Sequence, residues 1–181
     1  MQEATVGPAR LRSLPTTHRS ELDNLDSRLI LTLRAHPRVG LLEVARRLGV
    51  ARGTVQARLE KLQARGVITG FGPELDPARM GYPVLAFVFL EIAQGRLEEA
   101  VDFLREVPEV LEAHGVTGDQ DLLCRVVARD NGHLQEVINR MVHHPAVRRS
   151  TSSIAMSEQI PARVEGLLGA AGRRGGGAAT P

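Results

Sequence analysis

The stretch LLEVARRLGVARGTVQARLEKLQARG, Leu41 to Gly66, decides the reading of this chain. Leu41, Ala45 and Leu48 recur at helical spacing and predict one apolar stripe. Gly49 is expected to end that helix, because glycine takes the left-handed backbone conformation without a Cβ clash. A second stripe follows at Val55, Leu59 and Leu62, and Gly66 closes it with Arg65 in the last turn. Two helices joined by so short a turn cross steeply and share a small core, a helix-turn-helix.

The side of the second helix turned away from that core carries Gly53, Ala57, Glu60 and Ala64, flanked by Gln56 on one edge and by Thr54, Arg58 and Lys61 on the other. Small residues there let the backbone sink into a DNA major groove, which is just wide enough for a helix. Gln56 suits bidentate pairing with an adenine edge, and Thr54 suits a base or a phosphate. Arg58 and Lys61, with Arg46, Arg47 and Arg52 around the turn, suit phosphate. The bland alternative is a helical hairpin with a solvated charged face.

Charge distribution argues against that alternative. The net charge of +2 conceals twelve basic against six acidic residues up to Gly70, and eleven against fifteen beyond it. Only the first part is fit to sit on a polyanion. Its cations are almost all arginine, which favours bidentate phosphate and guanine contacts.

Composition narrows the classes further. A hydrophobic fraction of 43% over 181 residues fills a proper core in one or two domains. Aromatics are 3%, too few for base-stacking platforms. The single Cys124 excludes a disulfide framework within the chain and offers no cysteine metal site; it reads as a small buried hydrophobe. No cofactor is implied. Neither a signal peptide nor a membrane span is visible, so the cytoplasm is the expected compartment.

Along the chain, residues 1–20 read as a disordered basic arm, and residues 21–71 as a DNA-binding domain. Its first helix starts with Asp23 as N-cap and Asp26 near N3 and runs to Ala35. Val67–Phe71 reads as a short wing or hinge strand between glycines. Residues 72–82 are a linker. Residues 83–160 alternate strands and helices: Val84–Ile92 as a buried strand, a helix over Leu97–Val107 with Leu97, Ala100, Val101 and Leu104 inward, and strands at Val110–Thr117 and Asp121–Arg129 about a tight turn at Gly118. A helix capped by Asn131 and a strand over Val147–Ser157 complete the set. This β-α-β-β-α-β order is the ferredoxin-like split motif. Its open apolar sheet face calls for a second copy, and a homodimer matches a palindromic site in double-stranded DNA. Residues 161–181 read as a short extension and disordered tail.

An α+β chain with an N-terminal winged helix-turn-helix and a C-terminal ferredoxin-like domain resembles the Lrp/AsnC (feast/famine) transcriptional regulators. The resemblance spans about Leu22 to Ile160. It rests on Leu22–Asp26, Leu42–Gly49, Thr54-Val55 with Arg58 and Leu62, Gly66–Ile68 and Val116–Asp121. It implies a homodimer, often assembled into discs up to an octamer, that binds promoter DNA and responds to a small effector, typically an amino acid. It implies an effector site at Val116, Thr117, Gly118, Asp119, Gln120 and Asp121, with Thr151 and Ser152 from the last strand. Backbone N–H groups of the turn suit an α-carboxylate, and Asp119 or Asp121 an α-ammonium. On its own, Gly118-Asp119 also reads as a plain hairpin turn.

Three positions depart from the family pattern. Gln120 stands where an aromatic residue is common, Ala51 where a capping serine is usual, and Ala57 where a basic residue is common. A second reading keeps the same layout: siroheme decarboxylases share it, and His114, His133, His143 and His144 are the residues such an enzyme would draw on.

Overall fold

The computed structural model describes residues 22–168; the expected N-terminal arm and most of the expected tail lie outside the described residues. The first helix, α1 (Asn24–Ala35), begins as its sequence dictates. The Asp23 side chain accepts from the Asp26 N–H at 2.8 Å, and the Asp26 carboxylate accepts from the Asp23 N–H at 3.3 Å. Two reciprocal bonds thus satisfy two amides at this helix start. Helix α2 (Leu41–Leu48) stops at Gly49, whose φ of +71° is the left-handed conformation expected there. Helix α3 (Arg52–Ala64) follows with no side-chain cap from Ala51.

Leu29, Ile30, Val44, Ala45, Leu48, Val55 and Leu62 bury together and hold the three helices. Val44 completes the α2 stripe at the helical interval missing from the sequence reading. The expected strand at Val67–Phe71 is not a strand. Val67 and Ile68 instead turn their N–H groups back to the Leu62 carbonyl, at 2.9 and 3.3 Å, and pack against the helical core. Among the described residues no neighbouring strand pairs with them, and the apolar pair closes the end of α3, a C-terminal cap of the kind glycine allows.

The second part of the chain forms a four-stranded antiparallel sheet. It comprises β1 (Val84–Ile92), α4 (Leu97–Arg105), β2 (Val110–Gly115), β3 (Leu122–Ala128), α5 (Asn131–Val142) and β4 (Val147–Ile154), with strand order β2-β3-β1-β4. Ala86, Val88, Leu90 and Ile92 of β1 share one buried cluster with Leu122, Cys124 and Val126 of β3 and with Ala100, Leu104, Leu134, Val137 and Met141 of the helices. Both helices therefore cover one face. Cys124 is fully buried there, and burial pushes its thiol up to about 12, leaving it inert.

The run Val84–Ile92 is not buried on both faces. Leu85, Phe87 and Phe89 point to the helix-free side, in register with Val127, Arg125 and Leu123. Two details differ from expectation. Leu97 is exposed in the first turn of α4, where Ala100 and Leu104 fill the inward positions. The cap of α5 is Asp130, which accepts from the His133 N–H at 2.8 Å, and not Asn131, which is already helical. Asp130 keeps extended backbone just outside the helix, from which its carboxylate meets the amide three residues on.

The described residues divide into two compact units, one of residues 72–161, the other of residues 22–71 together with 162–168.

Candidate DNA-binding face and effector pocket

The face of α3 that the sequence assigns to DNA lies opposite two buried residues, Val55 and Leu62. On it Arg52, Gly53, Thr54, Gln56, Ala57, Glu60 and Lys61 are exposed. A Cβ built on Gly53 would meet nothing within 4 Å, so glycine there is not required by packing. The first turn of α3 holds no acidic residue and its end has no side-chain cap. Its outermost amides are therefore available to an anion such as a backbone phosphate.

The cations around the turn differ in how they are held. Arg47 pairs with Glu43 at 3.0 Å, while Arg46 reaches the same carboxylate only at 3.9 Å and is largely exposed. Gln56 donates to Glu60 at 2.6 Å, a bond that must open before the amide can read a base. Arg58 departs from the role of a freely extended phosphate anchor. Its Nη1 contacts Asp23 and lies 2.8 Å from Oδ1 of Asp26, a carboxylate only 7% exposed. Those two carboxylates raise the pKa of Arg58, Asp26 first. Burial opposes ionisation of Asp23, but the Asp26 amide and Arg58 outweigh it and hold that carboxyl below its ordinary range. The guanidinium thus ties α3 to the N-terminus of α1. Sequence reasoning missed this, because the partners lie more than thirty residues apart.

The second site lies at the end of the sheet. Phe89, Gly115, Val116, Thr117, Asp119 and Gln120 line an open depression of about 530 Å³. The Val116 N–H is bonded to the Asp121 carbonyl at 3.0 Å, and the Asp121 N–H to the Leu90 carbonyl at 2.9 Å. Between them the turn is pinned at both ends. Among the described residues, the N–H groups from Thr117 to Gln120 make no hydrogen bond, which leaves donors for an anion. Gly118 has φ of +112° and open space around it, so the turn needs glycine for its backbone angle and not for a close neighbour.

Gln120 Oε1 is buried without a partner. Asp119 lines the depression; Asp121 does not, and its Oδ2 accepts from the Ile92 N–H at 2.7 Å, beside the register shift between β1 and β4. Asp121 therefore braces the end of β1, with its Oδ2 engaged by the Ile92 amide. Thr151 pairs with Phe89 and so shares the helix-free face, whereas Ser152 pairs with Val88 and belongs to the other face. Phe89 and Gly115 escaped the sequence reading. The alternation of β1 could have found Phe89, which is out of phase with the buried positions.

The four histidines do not converge. His114 stands on the helix-free face, paired with Glu112. His133 accepts from the Arg129 N–H through Nδ1 and meets Glu109 through Nε2 at 3.2 Å. His143 bonds the Asn139 carbonyl at the far end of α5, about 15 Å along the helix from His133. His144 stacks on Phe103 at 4.2 Å. Each is occupied locally. Among the described residues, no three His, Cys, Asp or Glu side chains gather as a metal site, and no helix is long and apolar enough to cross a membrane.

Comparison with known proteins agrees with this division. Residues 22–69 match the model of a winged helix-turn-helix DNA-binding domain, and residues 85–164 match that of the Lrp/AsnC ligand binding domain. The HTH-type transcriptional regulator Ptr1 of Methanocaldococcus jannaschii is 33% identical over 109 residues, covering 60% of this chain and 74% of the relative. The structure of E. coli AsnC superposes with a TM-score of 0.74 at 27% identity, covering 80% of this chain and 98% of that one. The feast or famine regulatory protein Rv3291c of M. tuberculosis, complexed with L-methionine, gives 0.70 at 26% identity, covering 78% and 97%.

Proposed function

The chain belongs to the Lrp/AsnC family of DNA-binding transcriptional regulators, and from that premise we propose that it acts as a homodimer on a palindromic promoter site under the control of an amino acid. It is a regulator and not an enzyme, as its named relatives are. The observation that carries the proposal is the pairing of two surfaces. One is a helix face of small and polar residues over Val55 and Leu62, ringed by arginines. The other is a pinned turn with free amides beside Asp119.

On DNA, Gln56 and Thr54 meet base edges, Gly53 and Ala57 let α3 approach the groove floor, and Arg46, Arg47, Arg52 and Lys61 take phosphates. In the depression, the amides of residues 117–120 hold the α-carboxylate and Asp119 the α-ammonium. The complex of Rv3291c with L-methionine supports an amino acid as the effector class. The helix-free face with Phe87 and Phe89 supports pairing of two copies; an octamer, the larger assembly that the family resemblance implies, is the upper limit of the proposal. Acting on promoters places the protein in the cytoplasm. A footprint on the region upstream of its own gene, with and without each of the twenty amino acids, tests the reading. Protection at two sites about one helical turn apart, altered by one amino acid, is the expected result. No protection on any duplex at low salt overturns it.

A further inference from the structure

After β4 the chain leaves the sheet, its last bond there running from the Ala155 N–H to the Leu85 carbonyl at 2.8 Å. Residues 162–168 then group with the helices of the DNA-binding unit, beyond the stretch matched by the winged helix-turn-helix model. Residues 165–168 form one helical turn. Three contacts hold this turn on α1. Leu168 is 7% exposed and joins the buried cluster of Leu29 and Ile30. The Ser27 hydroxyl donates to the Leu168 carbonyl at 3.4 Å. Arg34 Nη2 meets Glu165 Oε1 at 2.6 Å.

Ser27, Ile30 and Arg34 are three and four residues apart, so they lie along one stripe of α1. Among the described residues, Asp26 and Ser27 are the buried polar side chains of the chain. A buried polar group needs a partner, and these two find theirs on different elements: Asp26 on Arg58 of α3, Ser27 on Leu168. The start of α1 is thus gripped on one side by the reading helix and on another by the C-terminal turn.

We propose that residues 162–168 are an intramolecular clamp on α1, and that the clamp positions the reading helix α3 through the Asp26–Arg58 contact. Binding of duplex DNA then depends on a segment that lies in sequence beyond the ligand-binding unit. Leu168, Glu165 and Ser27 are positioning residues; none of them touches DNA.

The test uses the full chain, hydrogen exchange and binding to mixed-sequence duplex DNA at low salt. Leu168→Ser is expected to speed exchange of α1 and α3 amides at least tenfold and to weaken duplex binding several-fold, with exchange in β1 and β3 unchanged. Leu168→Met is expected to keep both near the parent. Glu165→Arg adds positive charge, which alone strengthens binding to a polyanion, so loss of α1 protection there marks a broken clamp. Arg34→Glu in the same chain is expected to restore protection. Unchanged α1 exchange in Leu168→Ser, or equal acceleration in the sheet, overturns the proposal. Protection of α1 that vanishes on dilution assigns the clamp to a second copy and overturns it as well.

Discussion

Arg58 Nη1 lies 2.8 Å from Asp26 Oδ1, so α3, the helix proposed to read DNA, is fastened to the capping residues of α1. The contact joins a partly exposed cation to a buried carboxylate, the geometry in which losing one partner is costly, because the other stays buried and unpaired.

Arg58→Ala is therefore expected to destabilise the DNA-binding unit by about 1.5–3 kcal/mol, the worth of a charge-assisted hydrogen bond. It weakens binding to every duplex while leaving the salt slope unchanged. Arg52→Ala or Lys61→Ala is expected to do the reverse, lowering the slope by about one unit with stability within about 0.5 kcal/mol of the parent. Thermal unfolding and salt titrations of duplex binding separate the two patterns.

Gln56→Ala is expected to relax preference at one base position at a cost of about 1–3 kcal/mol on the best site, with little change on mixed-sequence DNA. Competition among duplexes that vary one base pair at a time checks this. Glu60→Ala frees Gln56 and removes a negative charge from the groove face, so it strengthens binding.

The two acidic residues of the turn should behave differently. Asp121→Ala removes the acceptor for the Ile92 N–H and lowers stability by about 1–3 kcal/mol. Asp119→Ala leaves the unfolding temperature of the free protein near the parent but removes the upward shift caused by the effector. An effector shift intact in Asp119→Ala would take this carboxylate out of the site.

Gln120 carries a buried acceptor without a donor. Gln120→Leu is expected to leave the free protein as stable or more stable, because it removes an unsatisfied polar group. It is also expected to move the amino-acid preference toward apolar side chains. Thermal-shift profiles over the twenty amino acids, parent against variant, show whether the ranking changes.

Asp23 titrates below its ordinary value in the folded protein. The unfolded chain then binds more protons than the folded one in the acid range. The stabilisation is complete above the ordinary aspartate pKa, about 3.9, and is lost as pH falls through the lower folded value. Urea midpoints of the DNA-binding unit should drop in that window, and Asp23→Asn should be less stable at neutral pH and flatter below it.

Much of the fold was legible because it is local. Asp23 and Asp26 announce a helix start through bonds three residues apart, and Gly49 announces its turn through its own backbone angle. The strand at Val67–Phe71 failed for the complementary reason. A strand is defined by its neighbour, and these residues have a helix end to close instead. The cap of α5 moved by one residue because two adjacent side chains competed and only geometry chose.

Apart from the strand expected at Val67–Phe71, the sequence by itself determined the secondary elements, their order and the chemical character of the two surfaces, since periodicity, capping and charge are properties of neighbouring residues. Tertiary structure alone decided what each charged or polar group is spent on: Arg58 on Asp26, Asp121 on Ile92, Ser27 on Leu168. Those partners stand 29 to 141 residues apart, and a hydrogen bond depends on distance in space, which spacing along the chain does not encode.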